Sequence, residues 1–292
     1  MSRIEKALER AAQLRQESPV QFEQNFQLPP DETITATTDT FPIQKNAIVI
    51  SNQLLVTSTD PSSPIAEEYR KLKSALVSSA RQEGFTNVLM VTSSIAGEGK
   101  SVTALNLALS LAQEIDHTVL LIDADLRRPS ILQYLGCEAR KGLLDILEGH
   151  AEMNETLIHT GVGRLVILPA GKVASNPVEL FSSNRMANLL QEIKHRYPDR
   201  FVIIDTPPIL PFAETRTLAR LVDGVIFVIK ERLTSRESVS EALAALKDTR
   251  IMGAVYNGAE LSPKDDRYGH YYKHNYYRPT TENKTASQSE RS

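Results

Sequence analysis

Six short apolar runs, near residues 87–92, 118–123, 164–168, 201–205, 224–229 and 251–256, recur along the chain with helix-period stretches between them. Runs of this length without polar alternation are strands buried on both faces, and a helix between successive strands is the connection that a parallel sheet requires. Helical periodicity covers 63–81, 101–113, 186–196 and 235–247. The first of these helices has a strong start signal. Ser63 can cap it, Pro64 fits its first turn, and Glu67 and Glu68 place negative charge where the helix dipole favours it. The expected fold is α/β, a mostly parallel sheet with helices on both faces and no internal repeat.

The strand at 87–92 breaks into Ser94-Ile-Ala-Gly-Glu-Gly-Lys-Ser101, and a helix follows. Such a loop turns backbone N–H groups and a helix N-terminus toward phosphate oxygens. Gly97, Glu98, Gly99, Lys100, Ser101 and Val102 are therefore the predicted nucleotide-binding residues, with Lys100 neutralising phosphate charge and Ser101 ligating Mg²⁺. A full P-loop pattern has glycine where Ser94 stands, but the order strand, loop, helix is the one that P-loop NTPases use. Two more strands end in acids: 118–122 delivers Asp123 and Asp125, and 201–204 delivers Asp205. Open parallel sheets bind ligands at these strand ends, and Mg²⁺ bound with ATP needs oxygen ligands nearby. Any one such acid, taken alone, could equally be a helix cap.

Beyond the last strand, 267–278 concentrates Tyr268, Tyr271, Tyr272, Tyr276 and Tyr277 among Gly, His, Lys and Asn without an aliphatic residue. It cannot form a core, and its neighbours read as disordered. An aromatic segment of this kind is a modification substrate or an adhesive tail. At the other end, Ile4, Ala7, Leu8, Ala11 and Leu14 form the stripe of an amphipathic helix, either docking elsewhere or folding back on the core. The expected divisions are a helix at 1–17, a linker at 18–45, a nucleotide-binding domain at 46–262 and a tail at 263–292.

A net charge of −3 gives no global sign of nucleic-acid binding. The single Cys137 excludes an intrachain disulfide and fits a reducing cytoplasm. No apolar run reaches the length of a membrane span. A cytoplasmic or peripheral protein is expected.

Taken together, Ser94-x-x-Gly-Glu-Gly-Lys-Ser101, Leu120-Leu-Ile-Asp-Ala-Asp-Leu-Arg-Arg-Pro129 and Ile203-Ile-Asp-Thr-Pro-Pro208 resemble the Walker A, A′ and B motifs of the bacterial tyrosine kinases. Pro64-Ile-Ala-Glu-Glu-Tyr-Arg-Lys-Leu-Lys73, Leu168-Pro-Ala-Gly171, Asn176-Pro-Val-Glu-Leu180 and Gly253-Ala-Val-Tyr-Asn257 extend the resemblance over roughly 45–280. Met1-Ser-Arg-Ile-Glu-Lys-Ala-Leu8 is similar to the start of autokinases encoded with exopolysaccharide systems.

The resemblance implies ATP-dependent tyrosine autophosphorylation of the tail cluster, with ATP and Mg²⁺ as cofactors. Lys100, Asp123 and Asp125 would be catalytic, Asp125 orienting or deprotonating the acceptor hydroxyl, although sequence alone does not divide the work between the two acids. Ser101, Asp123 and Asp205 would hold Mg²⁺, and Asn257 would touch the adenine. Arg127 and Arg128 would bind an acceptor or remain solvated. Glu67, Arg70 and Lys73 would form an oligomerisation face, with a ring as one form of the homo-oligomer. Other implied partners are protein tyrosine substrates and a membrane-embedded chain-length-determinant activator, which would place the chain at the inner membrane peripherally.

The chain departs from the family pattern at Ala96, at Ala213-Glu214 and at Lys73, where Arg is usual. The alternatives are a positioning or partition ATPase, whose loop Lys-Gly-Gly-x-Gly-Lys-Thr carries a lysine where Ile95 stands here, and a non-catalytic nucleotide-gated scaffold.

Overall fold

The apolar runs become strands β1 (Val88–Ser93), β2 (Thr118–Asp123), β4 (Leu165–Leu168), β5 (Arg200–Asp205), β6 (Gly224–Lys230) and β7 (Ile251–Asn257), joined by a two-residue β3 (Ile158–His159). The computed structural model describes residues 47–82, 87–114, 117–196 and 200–259. The expected N-terminal helix, the linker and the tail tyrosines Tyr268, Tyr271, Tyr272, Tyr276 and Tyr277 lie outside them. The strands form one sheet in the order β3-β4-β2-β5-β1-β6-β7, parallel throughout except for β3 against β4.

Alternate residues of each central strand feed two cores. Val88, Met90, Val202 and Ile204 pack beneath Leu189, Leu190 and Ile193 of the helix Asn184–Arg196. Leu89, Val91, Phe201 and Ile203 pack beneath Leu105 and Leu109 of the helix Lys100–Ala112 and Leu76 of the helix Pro64–Gln82. Burial on both faces is why these strands read as unbroken apolar runs. Ser63 caps the helix Pro64–Gln82 as expected, its hydroxyl accepting from the Ala66 N–H at 3.2 Å.

Glu67, Arg70 and Lys73 do not share one face as fully as the spacing suggested. Each step of three residues falls about 60° short of a turn, so Glu67 and Lys73 diverge by about 120°. Arg70 Nε donates to Glu67 at 2.6 Å and its Nη1 to the Pro61 carbonyl at 2.8 Å. Lys73 turns inward and pairs with Glu114, beyond the end of the helix Lys100–Ala112, at 3.0 Å.

Candidate active site

The loop between β1 and the helix Lys100–Ala112 is shaped by two glycines, Gly97 at φ +86° and Gly99 at φ +91°. Gly99 is the helix N-cap and brings no side chain to the first-turn amides, which are thereby left for a ligand. Glu98 turns inward and is fully buried. Its carboxylate accepts from the Ile95 N–H at 2.6 Å and from the Thr234 hydroxyl. Asn257, at the end of β7, donates from Nδ2 to the Glu98 carbonyl at 2.8 Å. Asn257 thus braces the loop through Nδ2, a contact that spacing could not reveal across 159 residues. A Cβ on Gly99 would stand 2.1 Å from Asn257 Nδ2. Gly99→Ala is therefore expected to cost about 1–3 kcal/mol of stability and to weaken nucleotide binding at least tenfold, read by thermal melting and nucleotide titration.

Lys100, Ser101, Asp123, Asp125 and Asp205 come together at the C-terminal ends of β2 and β5 and the start of the loop helix. Lys100 Nζ lies 3.1 Å from Asp125 Oδ2 and 3.4 Å from the Ser101 hydroxyl. Burial works against the charge on Lys100, but Asp205, Asp125 and Asp123 outweigh it and raise its pKa.

The two A′ acids have different jobs. Asp123 Oδ2 accepts from the Ser130 and Ile131 amides, each at 3.1 Å, and Oδ1 from the Asp125 amide at 3.2 Å. Asp123 therefore shapes the turn, whereas Asp125 presents Oδ2 to Lys100. Asp205 is buried, with no hydrogen bond of full geometry to either carboxylate oxygen but with the Ser101 hydroxyl, the Thr206 amide and the Lys100 charge beside it. A buried carboxylate with open acceptor capacity fits the water shell or direct coordination of a divalent cation, with the Ser101 hydroxyl beside Lys100 as the neutral ligand. Among the described residues no three His, Cys, Asp or Glu side chains are grouped to hold a metal by themselves. A cation here would depend on nucleotide phosphates for its remaining ligands.

Burial raises the pKa of both Asp123 and Asp205, to about 7 and about 6. The charge of Asp205 adds to the rise at Asp123, while Lys100 opposes the rise at Asp205. Between about pH 4 and 7 the folded protein thus holds protons that the unfolded chain releases, so stability falls as pH rises through that window. The nucleotide-free protein is expected to melt higher at pH 5 than at pH 8. Mg²⁺-nucleotide should narrow the difference, and melting curves at both pH values with and without it are the check.

Arg127 is partly exposed, and its Nε donates to Glu214, whose side chain is fully buried, while its guanidinium lies 4.7 Å from the Phe212 ring centroid. Glu214 stood out in the sequence only as a departure from the family pattern, since a charged residue in a first helical turn ordinarily faces water. Arg128 contributes its backbone N–H to Asp125 Oδ1 at 3.0 Å. A cleft of about 250 Å³ opens beside Asp123, bordered by Pro129, Leu132, Gln133, Cys137 and Gly171.

A parallel sheet with a phosphate loop after β1 and acids at the ends of β2 and β5 defines a P-loop NTPase, and residues 86–252 match the family model of an AAA domain. The chain is 36% identical over 232 residues to the tyrosine-protein kinase YwqD of Bacillus subtilis, covering 78% of this chain and 95% of that protein. It is 33% identical to the putative tyrosine-protein kinase EpsB of Ralstonia solanacearum, over 82% of this chain but only 32% of that protein. The kinase domain of the Escherichia coli tyrosine kinase ETK superposes with a TM-score of 0.67 at 30% identity, over 76% of this chain and 84% of the other. The chain belongs to the bacterial protein-tyrosine kinases. The septum site-determining protein MinD of Pyrococcus horikoshii, at 23% identity and a TM-score of 0.51, shares the fold alone.

Proposed function

We propose that the chain is an ATP- and Mg²⁺-dependent tyrosine autokinase that phosphorylates the cluster Tyr268, Tyr271, Tyr272, Tyr276 and Tyr277 of a neighbouring copy. The observation that carries this reading is the placement of Lys100 against Asp125 at the mouth of an uncapped phosphate loop, with the buried Asp205 carboxylate beside them. Loop amides and Lys100 hold the triphosphate. When Lys100 moves to the phosphates, Asp125 Oδ2 is freed and takes the proton from a tyrosine Oη. The Oη–Pγ bond forms, the bond from Pγ to the β–γ bridging oxygen breaks, and ADP leaves with the electron pair. Ser101 and Asp205 hold Mg²⁺, which offsets phosphate charge when bound.

In the same reading the kinase regulates polymerisation and export of an exopolysaccharide. It works from the cytoplasmic side of the inner membrane through a membrane-embedded partner of chain-length-determinant type. Among the described residues no helix is long and apolar enough to cross a membrane. Half-exposed Glu67 and Arg70 are the proposed self-association contact.

Delivery in trans is tested by mixing inactive Lys100→Met protein that keeps its tail with active protein truncated after Pro263. Label is expected on the inactive chain between Tyr268 and Tyr277. Label confined to other tyrosines, or absent while the partner is active on an added tyrosine peptide, refutes it.

A further inference from the structure

Arg127 and Glu214 are 87 residues apart in sequence and meet side chain to side chain. Arg127 belongs to the turn that carries Asp125, closed by Arg128 N–H donating to the Asp125 carbonyl at 3.2 Å. Glu214 lies in the helix Ala213–Ala219, at the end of the segment that leaves Asp205. That segment is itself sewn to β1: the Thr92 hydroxyl donates to the Pro207 carbonyl at 2.9 Å, and the Thr206 hydroxyl to the Val91 carbonyl at 3.0 Å. Glu214 is fully buried, with Oε1 on Arg127 and Oε2 in no hydrogen bond. Only the Glu214 end of the pair is buried, the Arg127 side chain being 35% exposed, and ion pairs open to solvent contribute little to stability, so stability alone does not account for this one. The pair adds a side-chain link between the turn bearing Asp125 and the segment bearing Asp205, beyond the backbone bond in which the Ala124 N–H donates to the Asp205 carbonyl at 2.8 Å.

We infer that the Arg127–Glu214 ion pair is a positioning clamp for phosphoryl transfer, fixing the Asp125 turn against the Asp205 segment once Lys100 has left Asp125 for the phosphates. Without a nucleotide, the contact at 3.1 Å with Lys100 tethers Asp125. Nucleotide binding removes that tether, and the Asp125 side chain is then held by the Arg128 amide, with the clamp supporting the turn beside the Asp123 hydrogen bonds. The forked guanidinium, stacked on Phe212, sets a direction that a lysine ammonium does not.

For its rate measurement the inference rests on the kinase reading above, so the test has two parts. Arg127→Lys, Glu214→Gln and the apolar double variant Arg127→Met with Glu214→Leu are compared with the wild-type full chain. The expected result is a kcat at least about tenfold lower in all three, with the KM for ATP and the Kd for Mg²⁺-ADP within about twofold of wild type. The double variant should show this loss while melting no lower than wild type. In the second part, with Mg²⁺-ADP bound, amide hydrogen exchange across 123–131 should be several-fold faster in the variants. Wild-type kcat in the double variant, nucleotide affinity falling in step with the rate, or unchanged exchange across 123–131 would overturn the clamp. A wild-type protein that transfers no phosphate to tyrosine would instead overturn the kinase reading, and the exchange measurement would still decide the clamp.

Discussion

Lys100→Met is expected to yield a folded protein whose phosphate transfer to tyrosine is at least about a hundredfold slower. The loop itself contributes this one cation, and removing a charge contact made in the transition state costs on the order of 3 kcal/mol or more. The variant also leaves Asp123, Asp125 and Asp205 without the neighbour that opposes their mutual repulsion. It should therefore melt lower than wild type at pH 8, and the gap should shrink toward pH 5 as the two high-pKa acids take up protons. Incorporation of labelled phosphate and melting at the two pH values measure both effects. Normal incorporation by the folded variant would remove this site from the reaction.

Asp205→Asn should move stability and activity in opposite directions. The wild-type carboxylate is buried, and although Lys100 and the Ser101 hydroxyl favour its charge, burial outweighs them, an arrangement that costs about 1–3 kcal/mol relative to a neutral group. For a domain of this size, its neutralisation is expected to raise the nucleotide-free melting temperature at pH 8 by roughly 5 °C. The amide is a poor ligand for Mg²⁺ or its water shell, so phosphate transfer should fall at least about a hundredfold and Mg²⁺ should no longer tighten nucleotide binding. A melting temperature that drops together with activity would mean that Asp205 is a structural acid.

Much of this was legible in the sequence, for a physical reason. Strands covered on both faces run apolar on both sides until their ends reach the site, so β1, β2, β5 and β6 announce themselves, and a phosphate loop needs glycine where φ turns positive, so Gly97 and Gly99 are visible too. What stayed hidden is what depends on partners distant in the chain. β3 is two residues long and has no periodicity to read. Glu214 looks like a surface charge until Arg127 is seen against it. The roles of Asp123 and Asp125 are indistinguishable in Leu-Ile-Asp-Ala-Asp. Only the amides of Ser130 and Ile131 closing on Asp123 separate them. Lys73 was misplaced for a simpler reason, since a spacing of six residues accumulates a third of a turn.

The brace between Asn257 and Glu98 also sets an order of events during synthesis. β1 lies between β5 and β6, with Val88 opposite Val202 and Leu89 opposite Gly224, so the strand that bears the loop is made long before either neighbour. Contacts so distant in sequence form slowly. The loop gains its last support only when β7 has emerged from the ribosome and added itself to the sheet edge. A nascent chain stalled before Ile251 would carry every residue of the phosphate loop and still lack its finished shape.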